Sequence, residues 1–104
     1  MSLRELLEDA AIGLPGATAE AGADGSLTWS RSGRAFAVLD AEGSSAEFGL
    51  DAAVADAAAR TPDVTHSARG AGWVTFSPAD LDDHAADRAI AWLVSSYRRT
   101  GPLD

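Results

Sequence analysis

Residues 31–40 read RSGRAFAVLD, and the reading of this stretch decides what the rest of the chain builds. Ser32 and Gly33 signal a tight hairpin turn, because the shortest hairpin loops need backbone with positive φ, which glycine adopts freely. Arg34 to Asp40 behind them is the clearest strand in the sequence. Simple alternation puts Phe36 and Val38 on one face and Ala35, Ala37 and Leu39 on the other. Both faces are then at least partly covered, as in a central strand.

Working outward, Leu27 to Ser30 lies across the turn as a partner strand, and Ala17 to Ala21 is a weaker strand before it. After the turn AEGSS (41–45), Ala46, Phe48 and Leu50 alternate with Glu47 and Gly49, the pattern of a half-exposed strand. Further on, Asp63 to Ser67 reads as a short extended piece and Trp73 to Phe76 as a firmer strand. In the latter, Trp73 and Thr75 share one face and Val74 and Phe76 the other.

Three helices frame these strands. Ser2 and Glu5 have the spacing of a capping box, in which hydroxyl and carboxylate satisfy the unpaired amides of a first turn. A helix from Leu3 to about Ile12 follows, with Leu3, Leu6, Leu7, Ala10 and Ala11 as its apolar stripe. Gly13 and Pro15 end it. Asp51 is placed to cap a short helix, Ala52 to Arg60, in which Val54 is the larger apolar contact and Asp56 and Arg60 have favourable i,i+4 polarity. Ser77, Pro78 and Asp80 read as cap, first-turn proline and first-turn acid of a last helix reaching about Arg99. Its stripe runs from Leu81 to Tyr97, and Arg98 and Arg99 complement the dipole at its end. The expected architecture is a two-layer α+β domain, helix, three or four antiparallel strands, helix, one or two strands, helix. Phe36, Val38, Val74, Phe76 and the Leu81 to Tyr97 stripe should share one dry interior.

Composition narrows the function classes. A chain of 104 residues, 46% of them apolar, is expected to fold as one domain, 1–104, around one core. Cysteine is absent, which excludes disulfides, thiolate metal sites and a cysteine nucleophile. The opening MSLRELLED lacks the order of a signal peptide and no stretch approaches a membrane span, so the expectation is a soluble, cytoplasmic protein without membrane contact. The formal charge is −8 and all eight cationic side chains are arginine. Such a charge repels polyanions unless arginines cluster locally. The alanine, arginine and aspartate bias points to a GC-rich genome.

Several stretches, taken in order, resemble the YjbR/MmcQ-like family of small bacterial proteins: the leading helix into GLPGATAE, then GRAFAVLD, the acidic helix starts, GWVTF and SSYRR. The resemblance covers nearly the whole chain and rests on order and spacing, since LPG and GRxFA are short. It implies an α+β fold related in outline to secretion chaperones and frataxin-like domains, with helices on one side of an antiparallel sheet. It supplies no catalytic residues. A DNA-binding role through wing-like hairpins is implied as a possibility of the family. This chain departs from the pattern before the tryptophan, where family members carry a basic residue in a longer loop and Gly70, Ala71 and Gly72 stand here; Arg69 is the nearest substitute.

The candidate sites follow. Arg69, Gly70, Gly72 and Trp73 would offer glycine amides and a guanidinium to an anion and an indole to a ring, or would simply turn the chain into a strand. A phosphate-gripping glycine loop leads into a helix start, and this one leads into a strand. Arg31, Arg34 and Arg69 are the residues a DNA-binding reading would use, provided the fold gathers them. Of the two imidazoles, His84 shares a helix face with Asp80, and Asp83 with Asp87, but a solvated, acid-rich first turn accounts for them better than a metal site. No serine, histidine and carboxylate follow a nucleophile pattern. The aromatics belong to the core; if one of them is surplus, it is Trp29, which sits among Thr28, Ser30 and Arg31 near a hairpin end, where an exposed indole would mark a contact surface. The reading is a non-enzymatic binding module, monomer or weak dimer, for a protein segment or small molecule and without a cofactor. DNA binding is the alternative.

Overall fold

Ser2 accepts the Glu5 amide and the Glu5 carboxylate accepts the Ser2 amide, so the expected capping box starts α1 (Leu3–Ile12). In the computed structural model, which describes residues 2–100, four strands follow: β1 (Ala17–Ala21), β2 (Leu27–Arg31), β3 (Arg34–Leu39) and β4 (Ala46–Gly49). Then come α2 (Ala52–Ala58), β5 (Val64–His66), β6 (Trp73–Phe76) and α3 (Asp83–Arg99). The strands form one antiparallel sheet in the order β1-β2-β3-β4-β6-β5. The α+β architecture and its element order are those expected from the sequence.

The turn at Ser32 and Gly33 has φ of 54° and 79°, the doubly positive geometry that matches strand twist in a two-residue hairpin. Pairing across it is not regular. Trp29 faces Ala37 and Ser30 faces Ala35, which leaves Phe36 without a partner, an extra residue bulged out of the ladder. A bulge interrupts the period of two. Phe36, Ala37 and Leu39 all enter the core, whereas Val38, although buried, stands apart from it on the other face, in register with Thr28 and Glu47. The expectation that Phe36 and Val38 share one face is therefore corrected.

The core face carries Leu27, Trp29, Phe36, Ala37, Leu39, Ala46, Phe48, Val74 and Phe76, and buried side chains of all three helices join it. Trp92 of α3 lies 5.2 Å from Phe76 and 6.3 Å from Phe48 between ring centroids, and Tyr97 meets Phe36 edge-on at 5.7 Å. Trp29 is only 2% exposed, so it belongs to the core with the other aromatics and is not a surplus one. It stands in the same register row as Ala37 and is buried with the core; its polar neighbours Thr28 and Ser30 point the other way.

Two helix boundaries differ from the sequence reading. The last helix is capped by Asp82, whose carboxylate accepts the Ala85 amide at 2.8 Å, and not by Ser77. The Ser77 amide is taken by the carbonyl of Asp63, and the chain bends at Ala79 and Asp80 before the helix begins. Helix α2 ends at Ala58, where the amide and hydroxyl of Thr61 close on the Ala58 carbonyl. Asp51 occupies the cap position of α2 without a side-chain bond, Val54 faces solvent, and Asp56 meets His66 at 3.7 Å where Arg60 was expected.

Candidate functional site

The four residues proposed from the sequence do come together, on the sheet face opposite the helices. The loop 67–72 joins β5 to β6. Its amides and carbonyls bond within it: Ser67 donates to Trp73, Trp73 donates to Gly70, and the Arg69 amide donates to the Ser67 hydroxyl at 3.1 Å. Gly72 has φ of +82°, and a Cβ there would collide with the carbonyl oxygen of Leu50, whose amide bonds the Gly72 carbonyl at 2.8 Å. The glycine is required by this close approach of two backbones.

Glu47 of β4 anchors the loop from the open face. Its carboxylate accepts the Ser67 hydroxyl and both Nε (3.2 Å) and an Nη (2.8 Å) of Arg69. Arg69 also lies over the Trp73 ring, 5.4 Å from its centroid, and that ring rests on Gly49, where a Cβ would come within 3.0 Å of it. Partial burial alone would raise the Glu47 pKa, but the hydrogen bonds from Ser67, Arg69 and Thr75 and the arginine charge outweigh it and hold the carboxyl below its usual range. The guanidinium that was to grip an anion is thus held by a carboxylate of the same chain.

Register and contacts gather the other arginines. The β2–β3 turn, the β5–β6 loop and the end of α3 lie at one end of the sheet, because Gly49 pairs with Trp73 while Tyr97 touches Phe36 and Arg31. Arg31, Arg34, Arg69, Arg98 and Arg99 therefore share an end of the molecule. Asp24, Asp40, Glu42, Asp82 and Asp83 sit at the other, on the β1–β2 and β3–β4 turns and the α3 start. The basic end is partly neutralised. Arg69 pairs with Glu47 and Arg99 with Asp51 at 3.4 Å, while Arg31 keeps its charge and stacks over Tyr97 at 4.3 Å. Among the described residues Arg34 and Arg98 make no ion pair.

His66 and His84 stand on different elements, and among the described residues no group of three or more histidines and carboxylates is placed to hold a metal ion. No helix among them is long and apolar enough to cross a membrane.

A feature that the sequence reading missed lies at the opposite edge of the sheet from β5. The helix-side row of β1 is Ala17, Ala19 and Ala21, in register with Arg31, Trp29 and Leu27, yet four of the five residues of β1 are exposed. Between β1 and the end of α1 runs a groove of about 300 Å³, walled by Glu8, Ala11 and Ile12 and by Ala17 and Ala19, with Trp29 beneath. Ile12 is 83% exposed. Two signals in the sequence point here. Ile12 falls outside the apolar stripe of its helix, and ATAEA alternates small apolar residues with polar ones on a strand where a buried row would carry larger side chains. No protein-family model matches the chain, and no curated protein is similar enough to count as a relative.

Proposed function

We propose that the chain is a non-enzymatic interaction module, YjbR/MmcQ-like in its make-up, which takes an extended segment of another protein against the free edge of β1. The observation that carries this reading is the state of that edge. Among the described residues no strand pairs with its outer side, Ala19 and Ala21 of its apolar row are exposed, and a groove opens between it and α1. Proteins ordinarily blunt such edges with proline, lysine, a bulge or a covering element. The other edge is blunted by its length, since β5 has only three residues, and His66 at its end lies 3.7 Å from Asp56 of α2. An added strand gains main-chain hydrogen bonds from β1 and selectivity from side chains entering the groove. The family reading rests on the ordered sequence likeness and is consistent with helices packed on one sheet face.

Amide chemical shifts of the full chain, titrated with a panel of extended peptides, test this. Shifts concentrated at Ala17 to Ala21 and Ile12, and lost in Ile12→Asn, are expected. Shifts confined to the 67–72 loop would move the site to Arg69 and Trp73 and overturn the reading.

One observation favours a second reading, a DNA-binding module: the fold gathers five of the eight arginines at one end of an acidic protein. A local field of this kind survives a negative total. The arginines it would use are Arg31, Arg34 and Arg98, since Glu47 holds Arg69. A gel shift at ~50 mM salt that vanishes when these three are neutralised together is expected on this reading, and no shift at that salt would remove it.

A further inference from the structure

Resting on the edge-strand reading, we propose that the segment accepted at β1 is cationic and alternates apolar residues with lysine or arginine. Strand addition imposes a period of two on the guest, every other side chain turning to the helix side and the rest to the open face. On the helix side the guest meets Ala17, Ala19 and Ala21, with Ile12 and the floor of Trp29 beside them. Small alanines leave height for larger apolar side chains. At about 300 Å³ the groove stands at the bottom of the range for small-molecule pockets, and it is open along the strand, which suits one large side chain of a longer guest.

On the open face β1 presents Thr18 and Glu20. Glu20 is exposed, its cross-strand neighbour is Thr28, and it has no cationic partner among the described residues. Two further acids flank this edge: Asp24, turned toward Ser26 in the β1–β2 turn, and Glu8 on the groove wall, which has a cation of its own in Arg4 4.0 Å away. The cation at the far end, Arg31 opposite Ala17, lies over Tyr97. A lysine or arginine facing Glu20 supplies the missing partner, because opposite charges on facing strands attract and like charges repel.

The same charges argue against a second copy of this chain as the occupant. Each copy carries −8, and pairing two β1 strands about Ala19 would set two Glu20 carboxylates on one face with no cation between them. Five residues span only about 17 Å of edge, short of the ~800 Å² per partner of a stable interface.

Three nine-residue peptides titrated into the full chain at about 50 mM salt test the inference: alternating leucine and lysine, alternating leucine and glutamate, and the same leucines and lysines in two blocks. The alternating leucine–lysine peptide should shift the Ala17 to Ala21 amides and bind at least about tenfold more tightly than the other two. Glu20→Lys, at an exposed position that leaves the core untouched, should reverse the preference in favour of the glutamate peptide. Equal binding of the block peptide would reduce the effect to bulk charge, and equal binding of the glutamate peptide would remove the cationic guest while leaving the edge reading standing. If no peptide moved the β1 amides, both readings would fall.

Discussion

The Leu50 amide donates to the Gly72 carbonyl at 2.8 Å, and the Gly72 Cα faces the Leu50 carbonyl oxygen so closely that no Cβ fits between them. This contact ties the end of β4 to the start of β6 and sets the entry of Trp73 into its strand. Gly72→Ala adds a backbone clash to a φ of +82°, so it should lose at least about 2 kcal/mol in urea denaturation. Gly33 has a similar φ of +79° and open space around it. Gly33→Asn should cost less than about 1 kcal/mol, because asparagine adopts the left-handed region and nothing blocks its side chain. Equal losses would mean that the close approach of the Leu50 carbonyl does not set Gly72 apart.

The tryptophans should separate in the same assay. Trp29 is enclosed between the sheet and α1, while Trp73 lies half-exposed against Gly49 on the open face. Trp29→Ala should cost about 3–5 kcal/mol, enough to unfold much of a domain with the usual margin. Trp73→Ala should leave a folded protein, with native far-ultraviolet circular dichroism and a loss of about 1–2 kcal/mol. A reversed order would contradict the sidedness of the sheet.

That sidedness shows how far the sequence could be read. The turn at Ser32–Gly33, the alternation in WVTF and the capping box at Ser2 are local patterns whose physics is complete within a few residues, and each has its expected form. The Phe36 bulge is not local. Whether a strand carries an extra residue depends on its neighbour's register, so alternation alone put Val38 in the core and could not see that Phe36 and Ala37 are buried side by side. Trp29 was a poor choice of surplus aromatic for a related reason, since Thr28 and Ser30 describe the face that Trp29 does not share. The loop at Arg69 was legible as a turn, but its partner Glu47 lies 22 residues away in sequence, and no spacing rule links them. The β1 groove depends on where α1 stops relative to the sheet, a tertiary fact.

Ile12 separates stability from binding. Its side chain is 83% exposed and lies outside the buried stripe of α1, so the uncharged Ile12→Asn, which sets no carboxylate against the C-terminal end of the helix dipole, should change stability by no more than about 0.5 kcal/mol. The same variant should abolish the β1 shifts expected on peptide addition. A large loss of stability instead would show that Ile12 is packed in solution and that the groove is closed.

Acid should loosen the loop through Glu47. Its pKa is lowered in the folded state, so its contribution is present above the unfolded carboxylate pKa and is lost as pH falls through the folded value. Asp40, held below its usual range by the amides and hydroxyls of Ser44 and Ser45 against partial burial, behaves with the same sign, so the total acid dependence does not isolate either group. A difference measurement does. Glu47→Gln retains the shape but gives up the charge that Arg69 and Ser67 address, and near pH 7 it should cost about 1–2 kcal/mol, the ~1.5–3 kcal/mol of a hydrogen bond to a charged group reduced by solvent screening at the partly exposed Arg69. As pH falls below the carboxylate range, wild-type Glu47 becomes neutral as well, and the gap between the two proteins should close. A gap that stays constant from pH 7 to about pH 3 would mean that the charge of Glu47 does not hold the Arg69 loop.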